Sequence, residues 1–270
     1  MQNFIELLKY IIIGSVQGIT EPLPISSSGH LVIIQTFLDM PTVDYFLEIV
    51  LHFASLIAIL ILFRVKILTL IKGNIAYVFK RDEAYKHDFH YFLLILIGVI
   101  PAGLAGLLFK SFFEGFLTLL AVGISLLFTG SFLLMVQRQS IENTKETLSW
   151  HDALTIGLFQ VFALLPGISR SGSTFVGGLF KRVKFEKVVE FSFMMYIPIS
   201  IGTMVLELFE VETFSRYNGL DISLAFITSG LCTYFAFKWF INAVKQGNLK
   251  YFGYYCLAVG LMSIGLYYLM

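Results

Sequence analysis

The chain has 270 residues, of which 57% are hydrophobic, 16% aromatic and only 14% charged, and its mean hydropathy is +0.81. Because a soluble domain carries about a quarter charged residues, this composition excludes an ordinary water-soluble domain, a coiled coil and a disordered chain. The net charge of +1 and the lack of a basic tract exclude general nucleic-acid binding. We predict an all-α polytopic membrane protein.

Apolar segments follow one another along most of the chain, and a membrane-spanning helix needs about 20 consecutive apolar residues. In chain order we predict a hairpin at 4–39, spans at 43–63, 89–109 and 116–136, a second hairpin at 152–181, and spans at 188–209, 219–240 and 250–269. Each hairpin region has two short apolar arms separated by proline and glycine. We predict that both are re-entrant and buried in protein, because exposed non-helical backbone cannot face lipid.

Most lysines and arginines lie in four loops between these segments, at 64–90, 137–150, 181–187 and 238–250. With six spans and two re-entrant hairpins, all four loops fall on the same side of the membrane. Cytoplasmic loops carry the excess of basic residues, so this side is predicted to be the cytoplasm. Both termini are then predicted to be external.

The two broken regions resemble each other. A shift of 143 residues aligns 14–31 with 157–174 without a gap. The identical pairs are Gly14/Gly157, Gln17/Gln160, Ile25/Ile168, Ser26/Ser169, Ser28/Ser171 and Gly29/Gly172. We predict two repeats, 1–140 and 141–270, each with one hairpin and three spans. Since three is odd, the second copy is inverted, and such repeats place a ligand site where the two breaks meet. The alternative is that small residues serve only close helix packing.

Polar residues are concentrated inside both breaks, where ionisable groups are costly and are candidates for function. The first break contains Gln17, Glu21, Ser26, Ser27, Ser28 and His30, and the second contains Gln160, Ser169, Arg170, Ser171, Ser173 and Thr174. The guanidinium of Arg170, flanked by hydroxyls and glycine backbone, suits a phosphate group. Glu21 opposite Arg170 also fits a structural salt bridge.

Other polar residues are given structural interpretations. Ser26 and Ser28 align with Ser169 and Ser171, so these serines are predicted to hold each loop through side-chain to backbone hydrogen bonds. Ser27 aligns with Arg170. Because these two residues differ between the repeats, they are predicted to take part in the reaction. Glu48 and His52 are four residues apart on one face of the first span, and we interpret them as interhelical hydrogen-bond partners.

At these residues the sequence resembles the undecaprenyl-diphosphate phosphatase family, which is linked to bacitracin resistance. The family's first motif, Glu or Gln followed after three residues by Glu, is matched at 17–21, and its Pro-x-Ser-Ser-x-Gly-His stretch is matched at 24–30. The second motif, Pro-Gly-x-Ser-Arg-Ser-Gly-x-Thr, is matched at every fixed position of 166–174. The resemblance covers essentially the whole chain. Gln17 stands where many members have Glu, which weakens its assignment as a metal ligand.

The resemblance implies hydrolysis of undecaprenyl diphosphate to undecaprenyl phosphate and inorganic phosphate in the bacterial cell membrane. This recycles the lipid carrier for peptidoglycan synthesis and confers bacitracin resistance, with an active site open to the external face. By the family's pattern, Ser27 attacks the terminal phosphorus and Arg170 neutralises the developing charge. Glu21 binds a cation or activates the nucleophile. His30 is an acid/base and the rival nucleophile, and direct attack by water is the third alternative.

The resemblance also implies which residues bind the substrate and a metal ion. Predicted substrate-binding residues are Gln17, Ser26, Ser171, Ser173 and Thr174. Glu21, together with Gln17, is the predicted ligand of a divalent cation, Mg²⁺ or Ca²⁺. The expected partners are the lipid substrate, membrane lipids and a second copy of the chain, with no nucleic acid.

Two other functions compete with hydrolysis by this family. Inverted repeats with central breaks also occur in transporters, so a polyprenyl-phosphate flippase is the alternative function. A second family of membrane lipid phosphatases shares the fragment Ser28-Gly29-His30. That family is disfavoured because Val176 stands where its later histidine is required and because its Lys-x6-Arg-Pro motif is absent.

Overall fold

The computed structural model describes residues 2–41, 44–137, 144–209, 218–245 and 249–269, and these residues form helices and loops. The helices are α1 (Gln2–Thr20), α2 (Ser27–Phe37), α3 (Tyr45–Leu62), α4 (Arg64–Lys80), α5 (Lys86–Leu108), α6 (Lys110–Glu114), α7 (Leu119–Gln137), α8 (Trp150–Phe162), α9 (Arg170–Phe180), α10 (Phe185–Leu208), α11 (Gly219–Lys245) and α12 (Leu249–Leu269). A 3-10 turn at Glu83–Tyr85 precedes α5. The prediction of an all-α protein is confirmed.

Six of the described helices are long and apolar enough to cross a membrane. They are Tyr45–Leu62, Glu83–Leu108, Leu119–Val136, Phe185–Leu208, Gly219–Val244 and Leu249–Leu269. Each overlaps one predicted span. In each of these helices, half or less of the most apolar 18-residue stretch is buried inside the protein. The remaining apolar surface is available to lipid.

Both predicted hairpins fold as two helices around a break. α2 begins after Ser26, whose side chain accepts a hydrogen bond from the backbone N–H of Gly29 (3.2 Å). α9 begins after Ser169, which accepts from Gly172 in the same way (3.0 Å). These are the N-caps that satisfy the first backbone donors of a helix. The predicted side-chain to backbone bonds of the repeated serines are therefore present for this pair.

The two breaks lie directly against each other and against α7. A Cβ on Gly29 would lie 2.9 Å from the Cα of Gly167, so glycine is needed for this approach. The Ser171 hydroxyl donates to the carbonyl of Leu23 across the contact (3.0 Å). Thr129 of α7 donates to the carbonyl of Gly167 (3.1 Å). The polar ends of all four hairpin arms are thereby brought to one place.

The contacts between the halves follow a regular scheme. α1 packs along α11 and α8 along α5, while α3 contacts α10 and α7 contacts α12. In the two predicted repeats α1 corresponds to α8, α3 to α10, α5 to α11 and α7 to α12. When each helix is replaced by its counterpart, the same four contacts result. The aligned glycines also correspond, since a Cβ on Gly14 would lie 2.4 Å from a carbonyl oxygen of α11 and one on Gly157 would lie 2.3 Å from a carbonyl oxygen of α5. The inversion stays a prediction, and the boundary at 140/141 lies outside the described residues.

Residues 64–90 are not the loop that their charges predicted. α4 occupies 64–80 and packs on α5, where Gly73 allows the close approach of Asp88. Lys66 forms an ion pair with Glu190 of α10 (2.8 Å). The interpretation of this segment as a loop was wrong. An amphipathic helix can carry many basic residues, and it is then too polar to span the membrane but is still a helix.

The start of the second hairpin is anchored by an ion pair between an exposed lysine and a buried carboxylate. The Lys145 ammonium lies 2.7 Å from both carboxylate oxygens of Asp152, which is fully buried in the first turn of α8. The backbone and hydroxyl of Ser149 donate to the same carboxylate, each at 2.8 Å. Burial alone would raise the pKa of Asp152, but the hydrogen bonds from Lys145 and Ser149 hold that pKa below its usual value.

We expect Lys145→Met to lower the free energy of unfolding by about 1–3 kcal/mol, because a buried carboxylate loses its charged donor. Since the folded-state pKa of Asp152 is depressed, the contribution is present above the unfolded pKa of about 3.9 and is lost as the pH falls through the folded value. Thermal unfolding in detergent at neutral and acidic pH measures both effects. Lys184→Met, which breaks an exposed pair with Glu146, is the matched control. Equal losses in the two variants would contradict the expectation.

Candidate active site

Glu21 is the centre of the polar cluster where the hairpins meet. It follows α1 directly and is 7% exposed. Its Oε2 accepts hydrogen bonds from the Ser27 hydroxyl (2.5 Å) and from Nε2 of Gln17 (2.9 Å). Its Oε1 accepts from the guanidinium of Arg170. One carboxylate thus joins both arms of the first hairpin to the second hairpin.

Arg170 is the first residue of α9 and crosses to Glu21 from the other half of the chain. Its Nη1 donates to the hydroxyl of Ser200 (3.3 Å) on α10. Its Cζ lies 4.2 Å from the ring centre of Tyr196, also on α10, in a cation–π contact. The side chain is 26% exposed. The salt bridge foreseen as an alternative is present, and it leaves part of the guanidinium accessible.

The three consecutive serines have different surroundings. Ser27 is the first residue of α2, is partly exposed and donates to Glu21. Ser26 and Ser28 face each other instead, with their oxygens 3.3 Å apart. Ser26, predicted to bind substrate, is 3% exposed and caps α2. Only the middle serine of the run contacts the carboxylate.

His30 lies one turn into α2 with both ring nitrogens engaged. Nδ1 is 2.7 Å from the carbonyl of Ser26 and so carries the ring proton. Nε2 is 2.8 Å from the hydroxyl of Tyr255 on α12, and the two rings stack with centres 5.6 Å apart. Nε2 therefore accepts from Tyr255. In the described part of the chain, neither nitrogen is hydrogen-bonded to Glu21 or Ser27.

The predicted hydroxyls of the second break mostly support its backbone. Ser171 donates to the carbonyl of Leu23, and its oxygen lies 3.3 Å from that of Ser169. Thr174 is fully buried, donates to the carbonyl of Ser171 (3.0 Å) and lies 2.5 Å from the hydroxyl of Ser192. Ser173 lines a narrow cleft between α7 and the second hairpin. The structure thus brings together Gln17, Glu21, Ser27 and Arg170, whereas these three hydroxyls form their hydrogen bonds elsewhere or line the cleft.

The chain is similar to proteins of one known family over most of its length. The sequence model of one family, described as bacitracin resistance protein BacA, matches residues 10–262. The chain belongs to this family. Undecaprenyl-diphosphatase 2 of Bacillus thuringiensis (strain Al Hakam) is 40% identical over 267 residues, which cover 98% of this chain and 99% of the relative. Undecaprenyl-diphosphatase of Oceanobacillus iheyensis is 38% identical over 268 residues, covering 97% and 98%. The family resemblance read from two motifs is confirmed over nearly the full length.

Several residues of this BacA-family site were not among those predicted from sequence. They are His52 on α3, Tyr196 and Ser200 on α10, and Tyr255 on α12. The two α10 residues were detectable, because Ser192, Tyr196 and Ser200 form a polar stripe at four-residue spacing in an apolar span. His52 was predicted to be an interhelical hydrogen-bond partner, and its contact with Gln17 on α1 (3.2 Å) agrees with that prediction. No such spacing singles out Tyr255.

The oxygen atoms present determine which kind of cation the site suits. Within the described ranges, no group of three or more His, Cys, Asp or Glu residues is arranged to hold a metal ion. Glu21 supplies one carboxylate, and Oε1 of Gln17 is a buried carbonyl oxygen with no hydrogen bond in the described part of the chain. Mg²⁺ is commonly held by one or two carboxylates together with substrate phosphates and water. The residues therefore fit a cation that arrives with a diphosphate.

Proposed function

We propose that this protein hydrolyses undecaprenyl diphosphate to undecaprenyl phosphate and inorganic phosphate in the cell membrane, the activity for which its relatives are named. The product is the lipid carrier reused in peptidoglycan synthesis, and its supply underlies bacitracin resistance. One observation carries the proposal. A serine hydroxyl is hydrogen-bonded to a buried carboxylate, and that carboxylate is paired with an arginine from the opposite half of the chain.

Arg170 is the anchor for the diphosphate. A guanidinium has five N–H donors, and those not used by Glu21 and Ser200 remain for phosphate oxygens. Tyr196 and Ser200 hold the guanidinium on its buried side. An arriving phosphate competes with Glu21 for Arg170. Substrate binding then weakens the salt bridge and leaves the carboxylate directed at Ser27.

Ser27 is the nucleophile in this scheme. Its Oγ forms a bond to the terminal phosphorus, the bond from that phosphorus to the bridging oxygen breaks, and undecaprenyl phosphate leaves. The serine proton passes to Glu21, because a serine hydroxyl needs an adjacent base to attack. Water then hydrolyses the phosphoserine, which regenerates the hydroxyl, and the proton on Glu21 leaves with the inorganic phosphate.

His30 takes a supporting part. Its Nε2 accepts from Tyr255, so the imidazole reaches a substrate oxygen only when that hydrogen bond opens. We therefore assign His30 a contact with the leaving phosphate in preference to the first attack. Tyr255 is 43% exposed, which leaves it room to move aside.

A divalent cation, Mg²⁺ or Ca²⁺, would be held by the Glu21 carboxylate and would supply charge neutralisation at the phosphate oxygens. Gln17 turns its amide nitrogen toward that carboxylate, so its role as a second ligand stays a prediction from the sequence. The diphosphate lipid is the partner that the relatives' names support. A homodimer stays a prediction from the sequence. So does the opening of the site toward the external face.

The deciding experiment is phosphate release from undecaprenyl diphosphate by the purified protein in detergent, with and without chelator. Detergent micelles have no compartments, so a flippase without hydrolytic activity releases no phosphate. We expect release that falls when the chelator removes divalent cations. If no phosphate is released when Mg²⁺ or Ca²⁺ is supplied, the proposed hydrolysis is wrong. If the chelator leaves phosphate release unchanged, the proposed need for a divalent cation is wrong.

The external location of the site is tested by single cysteines in a background with Cys232→Ser and Cys256→Ser. A cysteine replacing Asn218 is expected to react with a membrane-impermeant thiol reagent in intact cells. A cysteine replacing Lys72 on α4 or Arg182 after α9 should react only after the membrane is opened, because these positions belong to the basic side. The opposite pattern would reverse the topology and move the site to the cytoplasmic face.

A further inference from the structure

His52 contacts the active-site cluster from outside both hairpins. It lies on α3, which packs against α1. Its Nδ1 is 3.2 Å from Nε2 of Gln17 and 3.8 Å from Oε2 of Glu21. Its side chain is 23% exposed. The mechanism described above does not use this imidazole.

The amide of Gln17 determines how this contact works. An amide nitrogen only donates hydrogen bonds. Nε2 of Gln17 donates one hydrogen to Glu21 (2.9 Å), and its second hydrogen is directed at Nδ1 of His52. Nδ1 is therefore the acceptor, and the ring proton is on Nε2 of His52. The reversed amide would place Oε1 against the Glu21 carboxylate, where two acceptors repel.

The backbone position of His52 is itself fixed by buried hydrogen bonds between α3 and α11. Ser229 of α11 donates to the carbonyl of Leu51, the residue before His52 (2.9 Å). Thr233 donates to the hydroxyl of Ser55, one turn further along α3 (2.9 Å). All of these atoms belong to buried residues. The imidazole is thus presented to Gln17 by a rigid element, as a positioning group requires.

The second half of the chain provides an internal comparison. At the same shift of 143, Gln17 aligns with Gln160, Glu21 with Leu164 and His52 with Met195. Gln160 is also buried, but neither atom of its amide has a hydrogen-bond partner among the described residues. A glutamine at this helix position is therefore not oriented by the helix alone.

We propose that His52 is a positioning residue, whose Nδ1 holds the Gln17 amide so that it donates to the same Glu21 oxygen that contacts Ser27. The chain of contacts runs from His52 through Gln17 to Glu21 and Ser27. Loss of the acceptor lets the amide rotate and frees the carboxylate to shift from the serine. His52 acts through Gln17 and is not hydrogen-bonded to Glu21 or Ser27 in the described part of the chain. This inference rests on the proposed hydrolysis.

The test compares two substitutions of His52 by steady-state phosphate release. His52→Ala removes the acceptor and is expected to lower kcat by about 10–100-fold, the cost of misplacing a catalytic group by about 1 Å. KM is expected to stay within about twofold, because phosphate binding at Arg170 is retained. His52→Asn places Oδ1 as many bonds from the backbone as Nδ1 and should recover most of kcat. His90→Ala, an exposed histidine on α5, is the matched control.

A double-mutant cycle shows whether His52 acts through Gln17. Gln17→Met keeps the side-chain length but removes the amide. In that background His52→Ala is expected to lower kcat by less than about twofold further, because residues on one chain of contacts are not additive. Should His52→Ala fail to fold, His52→Leu fills the same space without an acceptor.

The outcomes separate this inference from the proposed function. No phosphate release by the unaltered protein would remove the function itself. With release present, normal kcat in His52→Ala would overturn the inference. It would also be overturned if His52→Asn lost as much as His52→Ala, or if the loss were undiminished in the Gln17→Met background. Rescue by asparagine together with non-additivity supports it.

Discussion

Arg170→Ala is expected to lower kcat for phosphate release by about 10²–10³-fold, the usual cost of removing one transition-state donor. The variant should still fold, since the side chain is partly exposed and Tyr196 and Ser200 retain their packing in α10. Its loss also leaves Glu21 without its charged partner, so the effect combines substrate binding and base positioning. The measurement is steady-state phosphate release, with melting temperature as the check on folding.

Arg170→Lys distinguishes geometry from charge. Lysine keeps the positive charge but cannot donate to Glu21, Ser200 and a phosphate from one planar group, or stack as closely on Tyr196. We expect a loss close to that of the alanine variant. Arg182→Lys, the same change at an exposed residue after α9, is the control and should be neutral. Near-normal turnover in Arg170→Lys would show that a point charge is sufficient and would refute the need for a planar group with several N–H donors.

Ser27→Ala is the second large effect, with an expected loss of about 10³-fold or more in kcat, as for removal of a covalent nucleophile. Its hydroxyl is the one that donates to Glu21, whereas Ser26 and Ser28 contact each other. We expect Ser28→Ala to cost far less. Ser26→Ala should act mainly on stability, since removing an N-cap costs about 0.5–2 kcal/mol.

Acid-quench trapping followed by mass spectrometry identifies the phosphorylated residue. We expect phosphate on Ser27, with none in Ser27→Ala. Phosphate on His30 would reverse the two roles and would require the contact with Tyr255 to open first. A Ser27→Ala variant with substantial turnover and no covalent species would show that water attacks the phosphorus directly.

The membrane class, the spans and the two breaks could be read from the sequence because each depends on local composition. A run of about 20 apolar residues is long enough to span the bilayer. Closely spaced prolines and glycines, as in 22–29 and 166–172, end a helix, whereas the single prolines Pro101 and Pro198 lie inside α5 and α10. The error at 64–90 has the same origin. The high density of charged residues there predicted a loop. The segment instead forms α4, which packs on α5.

Glu21, Ser27 and Arg170 were also recognisable, because ionisable and nucleophilic groups inside apolar breaks are unusual. The sequence did not show which neighbouring side chains contact these three residues. The hydroxyls of Ser171 and Thr174 share a motif with Arg170, yet they bond to backbone and to Ser192. Adjacency in a motif does not determine the direction of a side chain.

The sequence by itself determined that this is a helical membrane protein of the bacitracin resistance family, with a carboxylate, a serine and a guanidinium in two broken hairpins. Only the tertiary structure decided which side chains meet there. It placed Arg170 on Glu21 across 149 positions of chain, Tyr255 on His30 across 225 and His52 on Gln17. Such contacts depend on how helices that are distant in sequence pack against one another. Gly14 allows α1 to approach α11 closely and Gly157 allows α8 to approach α5, but no local pattern of residues determines which helices pack together.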